Sequence, residues 1–198
     1  MTNDRVSEEQ QKRFTRLAWP YLPTVLRTAR YLTQSEADAD DLAQDTMIKA
    51  MRAIDRFRDG TDMKAWLVTI MKRTFIDKLR SDQRRIKPQG LDDMDPVADP
   101  NVPVGVFDDD WPGPEQQLNR FEDEAVIEAL QRLPQDIRWT LILLDVEQMD
   151  QASVAGILDV PVGTIKSRAH YGRKMLRDLL YHTAQKRGWV AVVENRSS

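Results

Sequence analysis

The residues of this sequence with the clearest chemical potential are the cations of one segment, PVGTIKSRAHYGRKMLRDLL, at positions 161–180. The segment holds five Lys and Arg side chains, and no acid precedes Asp178 within it. Cations spaced along a helix can neutralise phosphate groups, so the chemistry indicated is binding rather than catalysis. A basic amphipathic helix is also common as a solvated surface, and charge alone favours that interpretation.

The residues just upstream of the basic segment predict a helix-turn-helix. The stretch DQASVAGIL is typical of a helix of about two turns capped by Asp150, and DVP then interrupts the chain before the basic helix begins. Ala155 is small enough for the two helices to approach closely. The basic helix has an inward apolar stripe, formed by Ile165, Ala169, Gly172, Leu176 and Leu179. These independent features favour a recognition helix over a merely solvated surface.

The outward face of the basic helix is therefore predicted to contact DNA in the major groove. Residues near the N-terminus of a recognition helix reach base edges, and its cations reach phosphates. The residues assigned to this contact are Thr164, Lys166, Ser167, Arg168, His170, Arg173 and Lys174. Tyr171 shares the outward face and is assigned no contact.

Other chemistry is poorly supported by the sequence. There is no cysteine, which excludes disulfides, thiolate metal ligands and thiol catalysis. His170 and His182 have no paired nucleophile or ligand pattern, and no phosphate-cradling glycine loop occurs. Three acids on one predicted helix face could hold a hard cation, but capping and partner binding explain them better: Asp38, Asp41 and Asp45. We therefore expect no enzyme activity, no cofactor and no metal site.

The composition and the charge distribution predict an all-α protein of two helical domains joined by an acidic flexible linker. The 198 residues are rich in good helix formers and contain only 8 glycines. Residues 1–87 carry a net charge of +5 and residues 116–198 a net charge of 0, whereas residues 88–115 carry 8 acids and no Lys or Arg. This middle stretch is rich in proline, glycine and aspartate and lacks periodic apolar positions. We assign a helical bundle to 1–87, the linker to 88–115, and a four-helix domain with the helix-turn-helix and a C-terminal tail to 116–198.

Two long amphipathic helices dominate the predicted N-terminal domain. The first covers about 36–56, with Ser35 as its N-cap and Asp38 in the capping-box position. Its apolar face comprises Ala39, Leu42, Ala43, Met47, Ala50 and Ile54, and its charged face comprises Asp38, Asp41, Gln44, Asp45, Lys49 and Arg52. The second helix follows the break RDGT and turns basic in its later half, through Lys72, Arg73, Lys78, Arg80, Arg84 and Arg85. We assign its aromatic residues Trp66 and Phe75 to the core rather than to base stacking.

No targeting or membrane segment is expected. The start MTNDRVSEEQ lacks the basic flank and apolar stretch of a secretory signal. No apolar run approaches the ~20 residues that span a bilayer. We therefore expect a cytoplasmic protein without membrane insertion.

Nearly the whole chain resembles a bacterial RNA polymerase sigma factor of the extracytoplasmic-function (ECF) group. The stretch DADDLAQDTMIKAMRAIDRF resembles the polymerase-binding helix of that family, and AWLVTIMKRTFIDKLRSDQRR resembles its minus-ten recognition helix. The stretch VPVGTIKSRAHYGRKML resembles its minus-thirty-five reader. Two such motifs in this order, separated by an acidic linker, are far more specific than either motif alone. The resemblance implies a factor that binds core RNA polymerase and directs promoter-specific transcription initiation.

The resemblance also implies roles for the residue sets named above. The charged face of the first long helix would bind core polymerase, the cations of the second would bind minus-ten DNA, and the helix-turn-helix set would bind minus-thirty-five DNA. An anti-sigma factor is a further expected partner, and no small-molecule substrate is expected. Two residues depart from the family pattern: Arg73 stands where asparagine is usual, and Asp159 replaces the common turn glycine. Because Asp tolerates left-handed backbone better than most residues, we expect the turn to survive.

Two other functions remain open at this stage. The chain could be a stand-alone helix-turn-helix transcription regulator, which would bind duplex DNA without polymerase. It could instead be a protein-interaction module or anti-sigma decoy with a sigma-like fold. The intact basic face from Lys166 to Lys174 argues against the decoy, since a decoy has no need of phosphate contacts.

Overall fold

The computed structural model describes residues 7–86 and 124–186, apart from the side chains of residues 82–86 and 182–186. The chain forms two compact units, of which the first contains residues 7–86 and the second residues 124–186. Every regular element in these two ranges is helical, which confirms the predicted all-α class with two helical domains. The predicted linker at 88–115 and the C-terminal tail lie outside the described residues.

Four α-helices and two short 3₁₀ turns make up the described part of the first unit. The α-helices are α1 (Glu8–Leu17), α2 (Leu22–Leu32), α3 (Glu36–Ala53) and α4 (Met63–Ile86). The 3₁₀ turns are Trp19–Tyr21 and Ile54–Arg56. Helix α3 packs against both α2 and α4 and forms the centre of this bundle. Its apolar face is therefore enclosed, while most residues of its charged face are exposed.

Serine side chains fix the first turns of helices α1 and α3. Ser7 Oγ accepts the N–H of Gln10 at 3.1 Å, and the Gln10 side chain accepts the N–H of Ser7 at 2.9 Å. Ser35 Oγ accepts the N–H of Asp38 at 3.1 Å, which confirms the predicted N-cap. The helix predicted for 36–56 begins at the expected position, and its last turn is 3₁₀ rather than α-helical.

The apolar face predicted for α3 lies in the core of the first unit. All six of its residues are buried: Ala39, Leu42, Ala43, Met47, Ala50 and Ile54. Helix α4 adds the buried side chains of Leu67 and Met71. Phe75 is also buried, and Trp66 is half-buried with its ring edge-to-face against Phe57 at a centroid distance of 5.4 Å. Both aromatic side chains therefore serve packing, as predicted from their helical spacing.

Four α-helices and one π-helical turn make up the described part of the second unit. The α-helices are α5 (Glu124–Gln131), α6 (Gln135–Leu141), α7 (Gln151–Leu158) and α8 (Val162–Lys186). The π-helical turn, Ile142–Val146, continues α6. Helix α8 packs against α5, α6 and α7, so the predicted four-helix domain is confirmed. Pro134 is the N-cap of α6.

The turn between α7 and α8 has the geometry of a helix-turn-helix. Asp150 caps α7, since its carboxylate accepts the N–H of Ser153 at 2.9 Å and the hydroxyl of Ser153 at 2.5 Å. Helix α7 ends at Leu158, and its C-cap Asp159 has a left-handed backbone with φ 58° and ψ 49°. Val160 N–H donates to the carbonyl of Ala155 at 3.1 Å and closes the turn. Asp159 therefore makes the turn that glycine commonly makes, as expected.

Helix α8 approaches α6 closely at Gly172. A Cβ atom on Gly172 would lie 2.5 Å from Ile137 Cγ2 and 3.0 Å from Leu141 Cδ1. The inward stripe predicted for this helix is buried, except that Leu179 is half-buried. The contact at Gly172 therefore limits how near α8 lies to α6.

We expect Gly172→Ala to destabilise the second unit by about 1–3 kcal/mol, because the added methyl group must displace the β-branched side chain of Ile137. Gly156→Ala is the matched control, since a Cβ there would meet nothing within 4 Å. Alanine is the better helix former, so the control should be neutral or stabilising by about 0.5–1 kcal/mol. Urea unfolding followed by circular dichroism measures both. Equal changes in the two variants would refute the close contact.

The cap at Asp150 should make the stability of the second unit depend on pH. Hydrogen bonds from Ser153 lower the pKa of Asp150 below its ordinary value. The stabilisation is therefore complete above the unfolded-state pKa of about 4 and is lost as pH falls through the lower folded-state pKa. We expect Asp150→Ala to lower the melting temperature at neutral pH, with the difference from wild type shrinking in acid. Asp150→Asn should keep most of the cap at both pH values, because asparagine caps without titrating. A difference between wild type and the alanine variant that is constant with pH would contradict this assignment.

Candidate nucleic-acid interface

The face of α8 that points away from its own domain carries two exposed cations. Lys166 and Lys174 are exposed, while Thr164, Ser167 and His170 are half-buried. The Ser167 hydroxyl donates to the carbonyl of Gly163 at 3.1 Å. These five residues, all predicted from the sequence, lie within three turns of one helix that follows a helix-turn-helix turn. They form a surface of hydrogen-bonding groups with a lysine near each end.

The two arginines assigned to the same face lie in ion pairs with the domain itself. Arg168 Nη2 lies 2.6 Å from Asp136 Oδ2, and its side chain is only 14% exposed. Arg173 binds Asp145 through two atoms, with Nη2 at 2.6 Å from Oδ1 and Nε at 3.1 Å from Oδ2. Hydrogen bonding to Asp145 raises the pKa of Arg173, against the opposing effect of burial. A contact of either arginine with DNA stays a prediction.

Sequence reasoning missed both acidic partners. Asp136 lies in the first turn of α6, and Asp145 lies in the π-helical turn that follows. Neither acid is near the basic helix in sequence, and an α-helical pattern through 142–146 would orient Asp145 differently. The one available signal was that Asp136 and Asp145 flank the apolar run of the stretch PQDIRWTLILLDVE, directly before the helix-turn-helix.

The basic part of α4 in the first unit is only partly open. Arg73 and Arg80 are exposed, and Lys72 is half-buried. Lys78 Nζ lies 3.2 Å from Asp45 Oδ2, in an ion pair that joins α4 to α3. The side chains of Arg84 and Arg85 lie outside the described part of the structure.

The charged face of α3 follows the pattern predicted for it. Five of its six residues are exposed and Asp45 is half-buried: the exposed residues are Asp38, Asp41, Gln44, Lys49 and Arg52. Asp38 shares hydrogen bonds with Ser35 at the helix start. Lys49 Nζ lies 3.5 Å from Asp77 Oδ2 of α4. The residues assigned to polymerase and those assigned to minus-ten DNA are therefore neighbours across the boundary of α3 and α4.

One further side chain of the second unit, Arg138, has a structural role. Arg138 donates to the carbonyls of Gln131 and Leu133, so it closes the turn between α5 and α6, and burial lowers its pKa.

Within the ranges 7–86 and 124–186, no group of three or more His, Asp or Glu side chains is placed to hold a metal ion. None of the helices in those ranges is long and apolar enough to cross a membrane.

Comparison with known families identifies both units. Residues 18–85 match the family model of Sigma-70 region 2, and residues 123–176 match that of Sigma-70, region 4. The first match covers the bundle around α3 and α4. The second match covers the four-helix domain through most of the outward face of α8. The two regions stand in the order predicted from the sequence motifs.

Relatives extend this identification to most of the chain. The ECF RNA polymerase sigma factor SigE of Mycolicibacterium smegmatis is 34% identical over 159 residues, which cover 79% of this chain and 57% of that protein. This chain thus matches somewhat more than half the length of that relative. The ECF RNA polymerase sigma factor EcfG of Rhodopseudomonas palustris is 34% identical over 160 residues, which cover 81% of each protein.

A solved structure agrees with the sequence comparisons. In the co-crystal structure of the sigma factor RpoE with the anti-sigma factor NepR from Bartonella quintana, the matched chain aligns with a TM-score of 0.66 and 29% identity. The alignment covers 86% of this chain and 98% of that chain. With two region matches in order, a relative matched over four-fifths of its length and this structural likeness, the chain belongs to the ECF family of RNA polymerase sigma factors.

Proposed function

We propose that this protein binds core RNA polymerase and directs promoter-specific initiation through three separate surfaces. The charged face of α3 binds polymerase, the basic part of α4 binds minus-ten DNA, and the outward face of α8 binds minus-thirty-five DNA. The observation that carries the proposal is the presence of regions 2 and 4 in one chain, with open cations on the recognition helix of region 4. A stand-alone regulator is not favoured, since it has no need of a complete region 2.

The minus-thirty-five contact is supported by the order of residues along α8. Thr164, Lys166 and Ser167 lie in its first two turns, where a recognition helix reaches base edges. His170 lies one turn later, with its ring edge-to-face against Tyr171 at a centroid distance of 5.5 Å. Lys174 lies a further turn along the helix and is open for a phosphate. The surface therefore offers both base-reading and phosphate-binding groups.

The minus-ten contact is supported by the open cations of α4. Opening a promoter requires bases to leave the stack, at a cost of a few kcal/mol that protein contacts must offset. Arg73 and Arg80 are exposed for phosphate binding, and Lys72 lies beside them. We propose the same role for Arg84 and Arg85. Because Phe75 is buried and Trp66 packs on Phe57, we assign these aromatic side chains to packing that holds α4 in place, and not to stacking on bases.

The polymerase contact is supported by the exposure of the charged face of α3. Its six assigned residues are Asp38, Asp41, Gln44, Asp45, Lys49 and Arg52. The apolar face opposite is fully buried, and five of the six assigned residues are exposed. The ion pairs of Asp45 and Lys49 with α4 lie at the edge of this surface. Mixed acids and bases on a rigid helix suit a partner surface of complementary charge pattern.

Further partners and location follow from the family. The RpoE chain of the co-crystal structure is bound to an anti-sigma factor, and we propose that this protein also has an anti-sigma partner. Sigma factors in general are not enzymes, and we propose that this chain has no catalytic site of its own. We further propose that it acts in the cytoplasm, where polymerase and promoter DNA are found, without membrane insertion.

Run-off transcription with purified core polymerase on pooled genomic promoter fragments tests the proposed function. We expect specific new transcripts only when this protein and polymerase are both present. A gel-shift assay on the same fragments separates the alternatives, because a stand-alone regulator would bind its fragments tightly without polymerase. Tight binding without polymerase, together with no new transcripts, would contradict the sigma-factor proposal.

Lys166→Ala should weaken binding of the polymerase complex to the minus-thirty-five duplex by about 5- to 150-fold, the range of about 1–3 kcal/mol for a base or phosphate contact near the helix start. Lys12→Ala is the matched control, because Lys12 is an exposed lysine on α1 of the first unit. It should leave binding unchanged. Fluorescence anisotropy of a labelled duplex measures both variants at one fixed salt concentration. Equal affinity of Lys166→Ala and wild type would remove Lys166 from the DNA contact.

A further inference from the structure

We propose that Arg168 and Arg173 are positioning residues that hold the recognition helix against α6 and the π-helical turn, with Asp136 and Asp145 as their required partners. In this view the two arginines orient the helix, and they do not bind phosphate. The proposal rests on the proposed function for its DNA readout. It reassigns two residues that the sequence placed in the DNA contact, and it gives a role in promoter recognition to two acids.

The geometry of Arg173 is that of an arginine committed to a carboxylate. Two nitrogens of the guanidinium bind the two oxygens of Asp145, at 2.6 Å and 3.1 Å. The side chains are 32% and 17% exposed, so the pair is largely shielded from water. A two-point pair of this kind fixes direction as well as distance. Breaking it to reach a phosphate would leave the carboxylate of Asp145 poorly solvated and unpaired.

The backbone around Asp145 is shaped to present this carboxylate. Asp145 lies in the π-helical turn, where the N–H of Glu147 donates to the carbonyl of Ile142 at 2.9 Å. Gln148 follows with a left-handed φ of 51°. Single π-helical turns within α-helices are rare and frequently occur at functional sites. Here the wider turn sets the direction of Asp145 and leads the chain into the helix-turn-helix.

The second ion pair, Arg168 with Asp136, also joins α8 to α6. Arg168 is the less exposed partner, at 14%, and Asp136 lies in the first turn of α6, where the helix dipole favours an acid. Between the two pairs lies Gly172, whose backbone contacts the side chains of Ile137 and Leu141. Two ion pairs therefore flank one apolar contact, and together they fix α8 along and around its axis.

The two roles of Arg173 predict opposite effects of removing its partner. If Asp145 only restrained an arginine that binds phosphate, Asp145→Asn would remove a negative charge near DNA and free a cation. Affinity would then rise, and the dependence of log K on log salt would steepen by about 0.9. If Asp145 positions the helix, affinity should fall with no change in that slope, because the phosphate contacts keep their number and lose their alignment.

The experiment measures binding of a promoter duplex by the complex of the full chain with core polymerase, using fluorescence anisotropy at four salt concentrations. We expect Asp145→Asn and Asp136→Asn each to weaken binding about 10-fold with the wild-type slope. Asp159→Asn is the matched control, since it removes an acid from the helix-turn-helix turn while asparagine keeps the left-handed backbone. It should leave affinity unchanged or slightly raised. Tighter binding with a steeper slope in Asp145→Asn would overturn the proposal, as would unchanged binding.

A charge-swapped pair keeps the test decisive if a single variant is poorly folded. We expect Asp145→Arg combined with Arg173→Asp to recover part of the binding that either change alone removes, because the ion pair is remade in reverse. If Arg173 binds phosphate, the swap should abolish binding, since an acid then faces DNA. Thermal unfolding of each variant reports folding separately. Absence of polymerase-dependent DNA binding by the wild type would instead refute the proposed function. In that case a double-mutant cycle of unfolding free energies for Asp145 and Arg173 would still test whether their ion pair stabilises the fold.

Discussion

The close contact of α8 with α6 at Gly172 is the constraint on which the geometry of the second unit depends. With no Cβ at this position, Ile137 and Leu141 reach the backbone of the recognition helix. The short distance brings the acids of the α6 segment within reach of arginines on both sides of the contact. It also leaves the opposite face of α8 open. A larger residue would push the helix outward and lengthen both ion pairs together.

The second unit separates its cations by type. Its two arginines on this face bind carboxylates of the same domain, whereas Lys166 and Lys174 stay exposed. Arginine suits the first role because its planar fork matches a carboxylate at two points, and lysine suits the second because a flexible ammonium group adapts to a phosphate. Counting positive charge along the helix overlooks this division. The net positive charge determines how strongly the surface attracts DNA, whereas the ion pairs determine which cations are available to bind a phosphate.

Much of the fold follows from local sequence signals. Ser35 and Asp150 cap helices where expected, the apolar face of α3 is buried at every predicted position, and Asp159 adopts the left-handed turn. These features depend on residues within a few positions of one another. The partners of Arg168 and Arg173 depend instead on how α6 and α8 pack. The π-helical turn also changes the orientation of Asp145, which a regular α-helical period does not predict. Nearby residues therefore predicted the apolar stripe of α8 and the turn before it, whereas contacts distant in sequence determined which of its outward side chains are exposed.

The ion pairs between α3 and α4 of the first unit are open to solvent on both partners. The pairs of Lys78 with Asp45 and of Lys49 with Asp77 join α4 to α3, with side chains between 36% and 65% exposed. Exposed pairs of this kind contribute only about 0–1 kcal/mol, so either partner can exchange for another charge at little cost. Under the proposed function, a polymerase cation that binds Asp45 would release Lys78 toward a phosphate. In the second unit the arginine of each pair is less exposed, at 14% for Arg168 and 32% for Arg173, and Asp145 is only 17% exposed. These arginines cannot change partners so easily, which is why we assign their pairs to positioning and assign the exposed pairs of the first unit to surfaces that bind partners.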